Sequence, residues 1–155
     1  MGAMGAAGAA GGVGGVGVGV VGGEAEAGAE AGGRAGTPLL VRGDSLLLRQ
    51  ALGNLLDNAI GFSPRGGVVR IALWRGQNDA CIEVCDQGPG VPAYAAERLF
   101  ERFYSLPRPG GGKSTGLGLP FVREVAALHG GSVSVASAPG GGCCSRLLLP
   151  LPLAI

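Results

Sequence analysis

Two asparagines four residues apart, Asn54 and Asn58, lie on one face of a predicted helix, and Asp57 and Gly61 complete that face. Amide and carboxylate oxygens are the ligands that Mg²⁺ prefers, and the ion keeps several of its waters. This face could therefore hold a hydrated magnesium ion. A solvated helix face has the same composition, so both interpretations stay open on this pattern alone.

A carboxylate, Asp86, follows a predicted buried strand and is itself followed by Gly88 and Gly90. At that position it could accept a hydrogen bond from the exocyclic amine of a nucleotide base. The two glycines would let the backbone approach a flat ligand without interference from a Cβ atom. An ordinary turn shows the same Asp-x-Gly-x-Gly pattern, which is the alternative interpretation.

A glycine-rich loop runs directly into a predicted helix near Gly116. Backbone N–H groups at the start of a helix bind phosphate well, and Lys113 adds a positive charge. The loop is not a Walker A motif, because Arg108 stands where the first glycine of that motif is required and no strand precedes it.

The elements that must position these groups follow from hydrophobic spacing. Asp44 is a suitable N-cap for a long helix that ends near Ile60, and a second helix is predicted over residues 116–129. A short strand is expected at 39–41 and a short helix after Pro92.

Four further runs are rich in strand-forming residues and are separated by turn residues, which predicts two hairpins. They cover residues 68–74, 80–85, 132–137 and 143–149. The expected fold class is α/β (α+β): a two-layer sandwich in which a mixed, mostly antiparallel sheet packs on helices.

Composition divides the chain into two parts. Residues 1–36 contain 15 of the 33 glycines and few bulky side chains, so we predict that they are disordered and that 37–153 forms one domain. Met1 begins no basic, leucine-rich leader, which argues against a signal peptide or a membrane helix. The net charge of +1 gives no attraction to nucleic acid or an anionic membrane.

The four cysteines form no framework typical of secreted proteins. Cys143 and Cys144 are neighbours, which rarely bond to each other. Cys81 and Cys85 fall on one face of a strand, so a metal pair is conceivable, but buried free thiols are favoured without further ligands. Cysteines that remain free thiols are typical of proteins in a reducing cytoplasm.

Taken together, the motifs resemble those of the GHKL ATPases, the family that includes sensor histidine kinases, topoisomerase II-type ATPases, heat-shock chaperones and MutL. Residues 48–59 resemble the kinase N box, 86–90 the G1 box, 100–104 the F box and 116–119 the G2 box. Within the sensor kinases, residues 102–109 and 113–119 resemble the CreC subfamily. The resemblance implies the Bergerat fold and binding of ATP with Mg²⁺.

The resemblance also implies roles for individual residues. Asn58 would coordinate Mg²⁺, and Asp86 would bond the adenine amino group. Asn54 stands where hydrolytic relatives carry a glutamate base, which favours transfer to a histidine over hydrolysis. The catalytic residues implied are thus Asn54 and Asn58, and the implied ATP-binding residues are Asn54, Asn58, Phe62, Asp86, Gly88, Gly90, Lys113, Ser114, Thr115, Gly116, Leu117, Gly118 and Leu119.

The sequence departs from the family at three positions, one of which is Ser114, where a glycine is often found in the loop before the second helix. Gly61 stands where many members have a lysine or arginine, and Phe62 stands where many have a tyrosine. No phosphoacceptor helix is recognisable, and the single histidine, His129, ends a predicted helix, where we expect it to pack or cap.

The expected function is therefore the ATP-binding catalytic domain of a two-component sensor histidine kinase. Its partners would be histidine-containing dimerisation helices outside this chain and a response regulator, and the expected location is the cytoplasm, with a parent kinase that an inner-membrane anchor could hold. No nucleic acid and no direct membrane contact are expected. A regulatory, anti-sigma-like ATP-binding module and an inactive kinase remnant are the alternatives.

Overall fold

The computed structural model describes residues 17–22, 38–112 and 114–153. The elements in chain order are β1 Gly17–Gly22, α1 Ser45–Phe62, β2 Val68–Arg75, β3 Asp79–Cys85, α2 Gly118–Leu128, β4 Ser132–Ser137 and β5 Cys143–Pro150.

Helix α1 begins where the sequence predicts. The Asp44 carboxylate accepts hydrogen bonds from the N–H groups of Leu46 and Leu47, at 2.9 and 3.0 Å. These bonds satisfy two of the N–H groups that a helix start leaves without partners. The helix ends at Phe62, just before Pro64, so it is two residues longer than expected.

The five strands form one sheet in the order β1-β2-β3-β5-β4. Strand β1 runs parallel to β2, and every other pair is antiparallel. Both helices pack on one face of this sheet, around fully buried Leu55, Val69, Val122, Val125 and Leu147. The predicted two-layer fold with a mixed, mostly antiparallel sheet and two hairpins is confirmed.

The predicted disorder of residues 1–36 does not hold at Gly17–Gly22, which pairs with β2 from Val68 to Leu73. Pairing with a sheet edge supplies backbone hydrogen bonds that the composition of the segment does not reveal. The remainder of that prediction lies outside the described residues.

Two short elements were predicted wrongly. Residues 39–41 form no strand and pair with no strand among the described residues, because the edge of the sheet beside β2 is taken by β1. The segment after Pro92 is a succession of turns joined by bonds such as Ala95 N–H to the Pro92 carbonyl, and it is not an α-helix. Helix α2 also begins later than expected, at Gly118.

The expectation of free thiols is wrong for one pair, because Cys85 and Cys144 form a disulfide. The two residues lie opposite each other in the antiparallel register of β3 and β5, with their Cα atoms 4.1 Å apart. They are separated by 59 positions, so local spacing gives no sign of the pairing. Cys81 and Cys143 are free.

No helix in the described part of the chain combines the length and apolarity needed to span a membrane.

Candidate functional site

Two adjoining cavities lie between the C-terminal half of α1, the start of α2 and the loop that precedes α2. The first, here called the apolar cavity, is open to solvent on one side and lined mainly by apolar side chains. Its lining includes Ala59, Phe62, Asp86, Gly90, Val91, Leu99, Tyr104, Leu106, Leu119, Val135 and Cys143.

The second, here called the polar cavity, is lined by Asn54, Asp57, Asn58, Ile60, Gly61, Arg108, Ser114, Thr115 and Gly118. Asn58, Ser114 and Gly118 line both cavities. The two therefore form one elongated site with an apolar end and a polar end. Such a site matches a ligand that joins a flat apolar ring to a charged tail.

Asp86 is the carboxylate of the apolar cavity. Its Oδ1 atom accepts the N–H groups of Gly88 and Cys143, at 2.8 and 3.2 Å. The Asp86 carboxylate accepts both of its hydrogen bonds from described residues through Oδ1. Its other oxygen, Oδ2, is left for a ligand. Burial raises the pKa of Asp86 above its ordinary value, although the two backbone hydrogen bonds act in the opposite direction.

Backbone packing around Asp86 explains the glycines on either side of it. A Cβ atom at Gly88 would overlap the carbonyl oxygen of Phe62, and one at Gly142 would overlap the carbonyl oxygen of Asp86. Gly142 also has a φ of +83°, which L-residues rarely adopt. The chain around Asp86 is thus held in place by contacts between backbone atoms.

Cys143 faces the same cavity, which the sequence alone does not indicate. Burial, and then the negative charge of Asp86, raise the pKa of the Cys143 thiol to about 12. At neutral pH this side chain is therefore a protonated, weakly polar thiol in the wall of the cavity.

The two asparagines of α1 meet the first residue of α2. The Asn54 amide donates to the carbonyl of Gly118 at 3.3 Å and accepts from Gln50 at 3.1 Å. Asn58 comes within 3.9 Å of the position that a Cβ atom of Gly118 would occupy. The N box and the G2 box thus lie side by side, and the Asn54 side chain is already bonded to α2.

The start of α2 leaves backbone donors uncapped by any side chain. Gly116, with a φ of +70°, turns the chain into the helix, and the N–H groups of Gly118 and Leu119 precede the first helical hydrogen bond, from Phe121 to Leu117. Gly118 lines both cavities, so these donors lie at the junction of the two ends of the site.

The loop before α2 is closed at its base. The Phe103 N–H donates to the carbonyl of Gly116 at 2.9 Å, and a Cβ atom at Gly116 would lie 2.5 Å from the carbonyl carbon of Phe103. Ser114 and Thr115 accept from the N–H groups of Gly116 and Leu117, respectively. The loop thus begins and ends at one point beside the site.

Most of the predicted binding residues lie at these cavities: Asn54, Asn58, Phe62, Asp86, Gly90, Ser114, Thr115, Gly116, Gly118 and Leu119. Gly88 and Leu117 do not line them; Gly88 acts through its bond to Asp86, and Leu117 is 41% exposed. Lys113 lies outside the described residues.

Arg108 belongs to the site as well, which sequence reasoning missed. Its guanidinium stacks over the Phe62 ring, 5.7 Å from the ring centroid, and lines the polar cavity. A lone arginine in a loop carries no periodic signal, so the sequence could show only that the loop is basic.

His129 lies away from the cavities and connects the two helices. Its Nε2 accepts from the N–H of Asp44 at 2.9 Å, and its Nδ1 lies 2.7 Å from the carbonyl oxygen of Val125. Both ring nitrogens are therefore engaged in structure, with the proton on Nδ1, in agreement with the predicted packing and capping role.

Comparison with known proteins agrees with this arrangement. The family model for the "Histidine kinase-, DNA gyrase B-, and HSP90-like ATPase" matches residues 43–153. The chain belongs to this family. Sensor protein CreC from Escherichia coli (strain K12) is 49% identical over 113 residues, which make up 73% of this chain and 24% of that protein.

Solved structures agree with the sequence matches. A mycobacterial sensor histidine kinase, MprB, has a TM-score of 0.65 and 36% identity, covering 74% of this chain and 76% of that one. Full-length ShkA in complex with AMPPNP has a TM-score of 0.59 and 33% identity, covering 70% and 22%. The chain is thus a histidine-kinase-type ATPase domain, and it spans about a quarter of the length of the curated relatives it matches.

Proposed function

We propose that this domain binds Mg·ATP across the two cavities and serves as the catalytic domain of a two-component sensor histidine kinase. It would pass the γ-phosphoryl group of ATP to a histidine on a dimerisation domain outside this chain. The observation that carries the proposal is the Asp86 carboxylate, fixed through Oδ1 at one end of a site whose other end is polar.

Adenine would occupy the apolar cavity. Asp86 would accept its exocyclic amino group through Oδ2, while Phe62 and Leu119 cover its faces. Gly90 lines the same cavity without adding a side chain that would fill it. A charged acceptor in a partly buried site gives a strong hydrogen bond, so Asp86 would contribute most of the specificity for the base.

The triphosphate would extend into the polar cavity. Asn58 and its neighbours there offer hard oxygen donors, which fit Mg²⁺, and Asn58 is the residue proposed to hold the ion. When bound, Mg²⁺ supplies positive charge that offsets the charge of the phosphates. The free N–H groups of Gly118 and Leu119 would donate to phosphate oxygens.

Transfer to a protein histidine fits the absence of a general base at Asn54. An amide cannot take a proton from water, and the Asn54 amide is already bonded to Gln50 and Gly118. Position 54 therefore supplies no group that could activate water, which favours transfer over hydrolysis.

The similarity to ShkA, whose structure contains AMPPNP, supports nucleotide binding. We further propose that the folded unit comprises residues 37–153 together with β1. Its partners would be the histidine-bearing dimerisation helices and a response regulator. Its substrate, ATP, places it on the cytoplasmic side of any membrane that anchors the parent kinase.

Calorimetric titration of the chain with ATP, with and without Mg²⁺, tests the site. Asp86→Asn should weaken ATP binding at least about tenfold, because a charged acceptor is lost. Asn58→Ala should remove the dependence on Mg²⁺. Asp79→Asn, the same substitution at the other end of β3, should leave the affinity unchanged. Wild-type affinity in both site variants would overturn the assignment.

A transfer assay tests the kinase activity. The chain alone should incorporate no phosphate from labelled ATP, and adding a cognate dimerisation domain should produce acid-labile, alkali-stable phosphate on that domain. Phosphate on His129 of the isolated chain would show that the acceptor is assigned wrongly.

A further inference from the structure

Arg108 occupies space that Gly61 leaves open. A Cβ atom on Gly61 would lie 2.5 Å from Nη1, 2.6 Å from Cζ and 2.9 Å from Nε of Arg108. The guanidinium of this loop residue therefore rests directly on the backbone of α1, and any side chain at position 61 would displace it. The contact connects the loop to the helix that carries Asn54 and Asn58.

The charge of Arg108 has no partner in the part of the chain that is described. No carboxylate there forms an ion pair with it, and its Nε is buried without a hydrogen-bond acceptor. Leaving a buried donor of a charged group unsatisfied costs free energy, so such a group is positioned to gain from an incoming acceptor.

The surroundings of Arg108 define the chemistry of that acceptor. The side chain lines the polar cavity together with Asn58, Ser114 and Thr115, and it stacks on Phe62, which also lines the apolar cavity. A guanidinium donates two parallel hydrogen bonds that match the oxygens of a phosphate group. An anionic oxygen group that enters the polar cavity would thus meet a fixed planar donor.

We propose that Arg108 binds the terminal phosphates of the nucleotide, and that Gly61 is required because it makes room for this arginine. The proposal rests on the proposed function, since it assigns a residue to the phosphate end of the same site. It makes Arg108 a determinant of selectivity for ATP over adenosine, with no role in recognition of the base.

The test measures the binding of Mg·ATP, ADP and adenosine by calorimetry. Arg108→Ala should weaken ATP binding roughly 10- to 100-fold, as expected for a lost hydrogen bond between charged groups. Adenosine binding should not change. Arg108→Lys should show an intermediate loss, because it keeps the charge without the planar donor pair. Arg65→Ala removes one exposed positive charge elsewhere and should have no effect.

Position 61 provides an independent test, because the effect of a substitution there should depend on whether Arg108 is present. Gly61→Ala should weaken ATP binding in the parent chain but have no further effect in Arg108→Ala, where no guanidinium remains to be displaced. Alanine favours a helix more than glycine does, so in Arg108→Ala the change should not lower the urea midpoint, and lower affinity in the parent chain could not be ascribed to unfolding of α1. Gly53→Ala is the matched control, because a Cβ atom there meets nothing within 4 Å.

The outcomes separate the two proposals. If adenosine fails to bind the parent chain, or Asp86→Asn does not reduce its binding, the proposed function fails. If adenosine binds but Arg108→Ala binds ATP within twofold of the parent, only the role of Arg108 is overturned. Equal losses for ATP and adenosine in Arg108→Ala would also overturn it, because they would show a general structural effect.

Discussion

The two ends of the site are built in different ways. At the apolar end, Asp86 is fixed by N–H groups from Gly88 and Cys143, and glycines pack backbone against backbone around it. At the polar end, Ser114 and Thr115 accept hydrogen bonds only from residues two positions further along the chain, and the Arg108 side chain has no polar partner among the described residues.

This difference indicates which groups would recognise the base and which would bind the phosphates. In the proposed site, recognition of the base would depend on groups that the folded sheet already holds in place. Binding of phosphate would depend on Asn58, on the start of α2 and on a loop whose side chains would complete their hydrogen bonds with the ligand. We therefore expect changes to the backbone around Asp86 to lower stability and changes to the loop at the polar end to leave it almost unaffected, and four predictions examine the stability of the domain and its relation to the site.

The largest effect should come from the disulfide beside Asp86. Cys85–Cys144 closes a loop of 59 residues between β3 and β5, which corresponds to about 4 kcal/mol of chain entropy in the unfolded state. Urea unfolding with and without reductant should differ by this amount in the parent chain. A variant carrying both Cys85→Ser and Cys144→Ser should not respond to reductant, whereas Cys81→Ser should respond as the parent does.

A matched pair of glycines gives the next largest effect. Gly142→Ala should lower the free energy of unfolding by about 3 kcal/mol, because its Cβ overlaps the Asp86 carbonyl at a positive φ. Gly110→Ala at the open end should change it by less than about 0.5 kcal/mol, since nothing lies within 4 Å. Equal losses in urea unfolding would show that the two ends do not differ in rigidity.

The variant His129→Ala tests whether a loss of stability is by itself enough to reduce the affinity for ATP. It removes the bond from the Asp44 N–H, far from both cavities, and should lower the free energy of unfolding by about 1 kcal/mol. ATP affinity, measured by calorimetry well below the unfolding temperature, should stay at the parent value. A parallel loss of affinity would mean that the site responds to stability in general.

The smallest effect concerns pH. Burial raises the pKa of Asp86, so the ionised carboxylate destabilises the folded state, and this cost is absent below the ordinary pKa of an aspartate. Asp86→Asn should therefore gain stability relative to the parent as the pH rises through the raised pKa, although it binds ATP more weakly. A stability difference that is independent of pH, in unfolding curves from pH 3 to 7, would contradict this.

Local patterns predicted the elements that carry the site. Leucine spacing and Asp44 placed α1, and alternating apolar runs placed both hairpins, because each signal is contained within one element. The same elements place the asparagine pair of α1, Asp86 with its glycines, and the glycine-rich loop before α2. Pairing between distant segments was not predictable: neither β1 beside β2 nor Cys85 opposite Cys144 leaves a local trace in the sequence.

The site itself was predicted less completely than the fold. Asn58, Asp86 and Gly118 stand in recognisable motifs, and the structure brings them together. Arg108 and Cys143 are placed by the path of a loop and by strand register, which depend on the tertiary structure. The turns after Pro92 were mistaken for a helix, because proline favours both a first helical turn and a bend.

A hydrogen bond from Phe103 to Gly116 closes the base of the loop before α2. This closure affects how the sequence and length of the loop can change in evolution. With its two ends fastened together, the loop can change length while the sheet and helices stay as they are, since doubling its length would cost only about 0.6 kcal/mol. Gly110, Gly111 and Gly112 face open space and offer the point of insertion. Mutation can therefore vary this stretch at little thermodynamic cost, while the residues around Asp86 tolerate almost no change in backbone.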